Sequence, residues 1–330
     1  MEANLKNKFN IDELKNAWEL IKKSKNITFL THKNPDGDGV AACTAFEVLL
    51  EVLQTQIGKK NIETLYPNKP KLEIKYHPKN VLIGKHKQIP DLIIILDTAI
   101  PERFYSTQEF KNVPIINIDH HISNTISGKF NFIDSQASSV CEVLYELINI
   151  WVPNDITPQI AKCLLFGILY DSQVFHTQST TSKTLRIAAD LMDSGANLYE
   201  IKNDLLTNKN PQFISLWGNI LENIKISINK NVAWAAITQK DLTKRNLSVS
   251  SLSGFLNFLS GITGIDICIL FYETQEGQTK VSLRSKKTDI NKFASQFGNG
   301  GGHKYAAGIS IDKPIDEVVS EIITAVEKEV

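Results

Sequence analysis

Four separated groups of residues in this chain have the types and spacing for metal-assisted chemistry. They are His32, Asp36 and Asp38 within His-Lys-Asn-Pro-Asp-Gly-Asp-Gly; Asp97; the adjacent Asp119, His120 and His121; and Asp171. Carboxylate oxygens and imidazole nitrogens without thiolates suit hard or borderline divalent ions, Mn²⁺ first, with Mg²⁺ or Co²⁺ as alternatives. So many ligands exceed what one ion needs, and they point to two. Two ions roughly 3.5–4 Å apart lower the pKa of a shared water and neutralise the entering and leaving oxygens of phosphoryl transfer. Taken singly, each group also has a plainer reading: a solvated turn for the triplet, a Pro-Asp-Gly turn for the first loop, a cap for Asp97 and a helix end for Asp171. Their convergence depends on the elements that carry them.

Those elements read as alternating strands and helices. Ala17, Leu20 and Ile21 have the spacing of a first amphipathic helix. Residues 27–31 form a short strand that runs into the His32 loop, where Gly37 and Gly39 are expected to allow tight backbone turns before a helix over 40–53. The run Leu92-Ile93-Ile94-Ile95-Leu96 is of buried parallel-strand type and ends on Asp97. A carboxylate buried there without a partner would cost several kcal/mol, so a cation is its natural partner. The apolar run 113–116 is a further strand, ending in Asp119-His120-His121. In open parallel sheets ligands bind at the carboxyl ends of strands, where all these groups fall. Residues 139–150 and 160–170 read as helices, the second ending at Asp171 beside a Thr-rich stretch, 177–184, that looks suited to phosphate. Residues 58–87 are lysine-rich and less regular and read as a peripheral strand or two with loops, where His77 and His86 read as exposed surface histidines.

Composition limits what such a site can serve. Lys+Arg and Asp+Glu both number 36, so no global basic field exists to hold a long duplex. A nucleic-acid substrate would have to be short or gripped locally. The four cysteines are far apart with no Cys-x-x-Cys pair, which argues against a disulfide framework or structural zinc and fits a reducing cytoplasm. No apolar run approaches the ~20 residues needed to span a bilayer, and no export signal is expected.

At 330 residues the chain is long enough for two domains. The α/β N-terminal domain is expected over 1–190, a connector over 191–212, and a smaller α/β domain over 213–330. In the latter, a helix over 213–226 precedes strands at 232–237, 266–272 and 280–285. In the last strand Leu283 points one way and Ser282 and Arg284 the other. An arginine can hold a phosphate bidentately, and Arg284 comes shortly before Gly300-Gly301-Gly302-His303. Successive glycines let backbone N–H groups approach a phosphate or nucleobase closely, so Arg284 and this loop are expected to line one cleft.

The loop His32-x-x-x-Asp36-x-Asp38, the strand-end Asp97, the Asp119-His120-His121 triplet and Asp171 resemble the four motifs of the DHH phosphoesterases. Phe297-Gly298-Asn299-Gly300-Gly301-Gly302-His303-Lys304-Tyr305-Ala306-Ala307-Gly308 resembles the glycine-rich signature of the DHHA1 substrate domain. The two motif sets come in the family's order and cover nearly the whole chain. The subgroup it looks like is that of bacterial nanoRNases and pAp phosphatases. One departure is Asn299, where an uninterrupted glycine run is common; it bears on the width of the loop and on substrate length.

The resemblance implies a parallel-sheet DHH domain with helices on both faces, joined to a smaller α/β DHHA1 domain. It implies that His32, Asp36 and Asp97 ligate one ion and Asp38, Asp97, His120 and Asp171 the other, with Asp97 bridging. His121 would contact the phosphate and protonate the leaving oxygen, and Asp119 would orient the histidines. Arg103, Asn124, Arg284, the glycines and His303 would hold substrate. The implied reaction is hydrolysis of short single-stranded RNA or DNA to mononucleotides and of nucleotide bisphosphates such as pAp to AMP, with no long duplex and no membrane as partner and a homodimer as one assembly. Three rivals remain: a cyclic-dinucleotide phosphodiesterase, an inorganic pyrophosphatase, and a non-catalytic nucleotide-binding protein.

Overall fold

Six short strands of the N-terminal part pair in parallel: β1 (Asn26–Leu30), β2 (Asn61–Tyr66), β3 (Val81–Ile83), β4 (Leu92–Leu96), β5 (Ile115–Asp119) and β6 (Phe130–Ile133), in the order β3-β2-β1-β4-β5-β6. The computed structural model describes residues 8–70, 76–206, 211–228, 231–252, 254–274, 277–298 and 300–329. Because side chains alternate along a strand, Ile27, Phe29, Leu92, Ile94, Leu96, Ile116 and Ile118 face one core, while Leu30, Leu65, Ile93 and Ile95 face another.

The two faces are covered unequally. The larger core carries α1 (Ile11–Lys23), α2 (Gly37–Val52), α3 (Val140–Trp151), α4 (Pro158–Asp171), α5 (Ser182–Asp193) and α6 (Leu198–Leu206). The opposite face is covered by the crossover from β4 to β5, whose helical content is two single 3₁₀ turns, Pro101–Arg103 and Gln108–Phe110. His86 belongs to this cover rather than to open surface. Its ring lies 5.0 Å from Phe110 and 6.0 Å from Tyr105, and its Nε2 is 2.6 Å from Glu109. The flanking aromatics, all distant in sequence, explain why spacing alone suggested exposure.

Strand order reverses direction between neighbours β1 and β4. The loops leaving their carboxyl ends therefore diverge to opposite sides, and a crevice opens between them.

Contacts divide the chain into Met1–Asn208 and Lys209–Val330. The stretch read as a connector is partly structural: Leu191, Ala196 and Ile201 are buried in the first core. The second unit is a six-stranded sheet, β7 (Lys225–Ser227), β8 (Val232–Ile237), β9 (Ile267–Glu273), β10 (Thr279–Ser285), β11 (Gly301–His303) and β12 (Ala306–Ile311), ordered β11-β12-β10-β9-β8-β7. Only β8 and β9 run parallel among its pairs. Helix α7 (Pro211–Glu222) packs on one face, and α8 (Ile290–Ala294) with α9 (Ile315–Glu329) on the other. The helix expected over 213–226 stops at Glu222, because Ile224-Lys225-Ile226-Ser227-Ile228 alternates with a period of two and its middle, Lys225–Ser227, forms the edge strand β7. All four cysteines are free and buried. No helix among the described residues is long and apolar enough to cross a membrane. Asn299 and the side chain of His303 lie outside the described residues.

Candidate metal centre

The carboxyl ends of β1, β4 and β5 deliver three of the four groups into the crevice, and the end of α4 delivers the fourth. His32 follows β1, and Asp36 is the N-cap of α2, accepting from the backbone N–H groups of Asp38 and Gly39. Asp97 follows β4 in a left-handed conformation, φ 58°. Asp119 is the last residue of β5, and Asp171 the last of α4.

Ligand atoms gather in three overlapping sets, each within 4.8 Å: His32, Asp36 and Asp97; Asp38, His120 and Asp171; and Asp97, Asp119, His120 and His121. His32 Nε2 is 3.5 Å from Asp36 Oδ2 and 3.4 Å from Asp97 Oδ2. His120 Nε2 is 3.5 Å from Asp97 Oδ1 and 3.4 Å from Asp171 Oδ2. These separations exceed a good hydrogen bond and match two ligands each ~2.1 Å from a shared ion, which stand about 3.0–3.5 Å apart. Asp97 turns one oxygen to each histidine. The donor set therefore fits divalent cations, with Asp97 standing between His32 and His120.

Outer contacts aim these ligands. His32 Nδ1 lies 2.9 Å from the carbonyl of Lys33, and His120 Nδ1 lies 3.4 Å from that of Ala137. With Nδ1 as the donor, each Nε2 presents its lone pair to the centre. Asp38 is wholly buried, and its carboxylate accepts from the N–H of Val140 at 2.6 Å and of Cys141 at 3.2 Å, at the N-terminus of α3. Asp119 is also wholly buried and accepts from His120 N at 2.8 Å, His121 Nδ1 at 2.7 Å and Asn124 Nδ2 at 2.5 Å.

Charge is strongly coupled here. Burial disfavours the charged form of His32, but Asp36 and Asp97 outweigh it and lift the imidazole to about 10. Burial likewise opposes His120, and Asp97, Asp171 and Asp38 lift it to about 10. Burial would raise Asp97, yet His120 and His32 hold its carboxyl well below the usual carboxylate range. Burial, with help from Asp97 and Asp36, raises Asp171 to about 7 against the pull of His120. Burial and the carboxylates of Asp97 and Asp171 push Asp38 well above the usual range. Among these side chains alone, imidazolium supplies the compensating positive charge; divalent cations would take over that part.

Several expected roles change. Gly37 and Gly39 lie in the first turn of α2 and make no unusual turn; they are needed for close approach. A Cβ on Gly37 would sit 2.3 Å from the Tyr170 ring, and one on Gly39 2.5 Å from Thr31 Oγ1 and 3.0 Å from Asp97 Oδ2. Asn124 is not left open to phosphate: its Nδ2 donates to Asp119 and to Thr98 O, and its Oδ1 accepts from Asn117 Nδ2 and Ile126 N. It braces the loop after β5. The Thr-rich stretch is largely a helix start, with Thr181 and Thr184 forming the capping box of α5. Arg103 is exposed at the rim, its Nη2 3.3 Å from His32 Nδ1.

One feature gave no signal in the sequence. Gln173, Val174 and Phe175, directly after Asp171, are all left-handed, at φ 50°, 59° and 65°. β-Branched and bulky residues rarely adopt this region, and such strain gathers at functional sites. The turn is held by Val174 N to Leu169 O at 2.7 Å and Phe175 N to Ser172 Oγ at 3.0 Å.

In the second unit, Arg284 of β10 and His303 of β11 both pair with Ala306 of β12, so the three form one row across the sheet. Burial lowers the Arg284 guanidinium from its ordinary range. Gly301 is exposed with open space at its Cβ position, whereas a Cβ on Gly300 would lie 1.9 Å from Ala294 O and one on Gly302 2.3 Å from Ala306 O. Two of the three glycines are thus required by packing.

The model of the DHH family N-terminal domain matches residues 26–168, and that of the DHHA1 domain matches residues 229–330. The chain is 31% identical to the bifunctional oligoribonuclease and PAP phosphatase NrnA of Bacillus subtilis, over 85% of this chain and 87% of that protein. It is 25% identical to a protein of the same name from Thermus thermophilus, over 96% and 94%. A crystal structure of an exopolyphosphatase-related protein from Bacteroides fragilis superposes with a TM-score of 0.85 at 24% identity, covering 97% of this chain and 98% of that one. With the DHH model matched over the strands that carry the carboxylate–imidazole centre and the DHHA1 model following it in the chain, the chain belongs to the DHH family, in the group that couples a DHH domain to a DHHA1 domain.

Proposed function

We propose that this chain is a divalent-metal-dependent phosphoesterase that hydrolyses short oligonucleotides to mononucleotides and also converts pAp to AMP, with Mn²⁺ as the favoured ion. The observation that carries this is Asp97, buried between His32 and His120 with one oxygen toward each. A pair of divalent cations, when bound, supplies the Lewis acidity that activates water and neutralises phosphoryl oxygens. His32, Asp36 and Asp97 hold one, and Asp38, Asp97, His120 and Asp171 the other. Asp119 fixes His121 through Nδ1, leaving Nε2 to contact the phosphate and deliver a proton to the departing oxygen. Arg103 at the rim steadies the phosphate. Arg284, the exposed Gly301 and the neighbouring His303 hold the nucleotide, with catalysis in the first unit and substrate binding in the second. The names of the relatives, both carrying oligoribonuclease and PAP phosphatase activity, support this substrate class.

The test is a parallel panel with Mn²⁺: pAp, a 5′-phosphorylated dinucleotide, a pentamer, cyclic di-AMP and pyrophosphate. The dinucleotide and pAp should turn over fastest. Faster turnover of pyrophosphate or cyclic di-AMP would replace this reading, and no hydrolysis at all would end it.

A further inference from the structure

Behind the centre lies a cluster of buried carboxylates, met by half-buried lysines, that no part of the reaction uses. Lys183 Nζ is 3.1 Å from Asp134 Oδ2, 2.9 Å from Glu142 Oε1 and 3.0 Å from Glu146 Oε1, and all three carboxylates are buried. Lys8 reaches Asp134 and Glu146 as well, but among the described residues Lys183 is the cation paired with Glu142. The other oxygen of Glu142 accepts from Ser138 N at 3.1 Å, Ser138 Oγ at 2.7 Å and Thr184 Oγ1 at 2.9 Å. Asp134 accepts from Gln136 N through Oδ1, and its carbonyl accepts from Ala137 N. Residues 134–142 are thus gripped at both ends by carboxylates that converge on one ammonium.

That same segment supports two metal ligands. The Ala137 carbonyl faces His120 Nδ1, and the Val140 and Cys141 N–H groups hold both oxygens of Asp38. A plain stability role accounts poorly for the arrangement, because burying three carboxylates around one half-buried ammonium is often no more stable than an apolar replacement. Lys183 also stands in the first turn of α5, where the helix dipole disfavours a cation, so the cluster and not the helix explains it. We propose that Lys183 is a positioning residue: through Asp134 and Glu142 it sets the 134–142 segment, and the segment sets His120 and Asp38 for metal binding. This rests on the two-ion reading of the centre.

The test titrates Mn²⁺ into the full chain by calorimetry for wild type, K183M and K183R, with Tm, kcat and KM on a dinucleotide measured in parallel. Mn²⁺ affinity should fall about 10- to 100-fold in K183M, with kcat lowered and KM kept, and K183R should restore most of it. A lower Tm with unchanged Mn²⁺ affinity overturns the inference, as does an equal loss in both variants. If K183M does not fold, S138A decides, because Ser138 Oγ donates to Glu142 without being the N-cap of α3: weaker Mn²⁺ binding supports the inference, and unchanged binding overturns it. Wild-type chain that binds no Mn²⁺ overturns the two-ion reading along with it, whereas normal wild-type binding with unaffected variants overturns this inference alone.

Discussion

His121 places its Nδ1 2.7 Å from Asp119 Oδ1, and Asp119 is fully shielded from solvent. A buried carboxylate in that position fixes both the tautomer and the orientation of the ring. Asp119→Asn keeps the shape but removes the anionic acceptor, so kcat on a dinucleotide should drop about 10- to 100-fold with KM little changed. Steady-state kinetics at saturating Mn²⁺ checks this. An equal rise in KM would instead give Asp119 a part in binding.

Under the proposed assignment Asp97 would serve both ligand sets, so its loss should empty both. Asp97→Ala should reduce bound manganese, measured by elemental analysis, from two ions to fewer than one per chain. Activity should fall at least about 1000-fold, since the cations contribute several kcal/mol and each ~1.4 kcal/mol is tenfold in rate. His120→Ala should keep the ion held by His32, Asp36 and Asp97.

Protons and metal compete for the histidines. His32 and His120, each lifted to about 10, carry protons at neutral pH in the metal-free protein and must lose them to ligate. Mn²⁺ affinity should therefore rise with pH through the neutral range and level off near 10, with up to two protons released by these imidazoles. Calorimetry in buffers of different ionisation enthalpy counts them. The same shift acts on folding: both folded pKa values lie above the unfolded 6.5, so their contribution is complete below 6.5 and is lost as pH rises toward 10. Metal-free chain should lose Tm over that window from these two groups.

Gly39 leaves no room for a side chain between Thr31 and Asp97. Gly39→Ala should destabilise by about 1–3 kcal/mol through overpacking and shift Asp97 enough to weaken manganese binding. Thermal unfolding and titration together check this; a stable variant with normal binding would show that the crevice relaxes more easily than its geometry implies.

Arg284 is assigned to the nucleotide and not to the chemistry. Arg284→Ala should raise KM for a dinucleotide about 10- to 100-fold, the worth of a charged hydrogen bond of ~1.5–3 kcal/mol, and leave hydrolysis of a simple aryl phosphodiester unchanged. Arg284→Lys should recover little, because an ammonium cannot reproduce a planar fork.

Much of the centre was legible because its ligands follow apolar runs that end abruptly. Leu92–Leu96 stops at Asp97, and Ile115–Asp119 carries the triplet at its end, so pattern and parallel-sheet geometry together placed them. The resemblance to the DHH motifs then implied which ligands would share an ion. What escaped were features that depend on residues far apart in sequence. Asn124 looked available until its amide was seen braced by Thr98, Asp119, Asn117 and Ile126. His86 looked exposed until the β4–β5 crossover folded over it. The left-handed run at Gln173–Phe175 contains no glycine to announce it.

The β4–β5 crossover shields its side of the sheet with two single 3₁₀ turns and a small apolar cluster, while long helices seal the other side. Segments with few buried contacts open first, so amide exchange should begin along residues 97–114 well before it reaches α2 or α4. Arg103 rides on that segment against His32. The thinnest wall of the domain is thus also the one that carries the arginine beside His32, and local breathing there would loosen the rim of the site without unsealing the helical side.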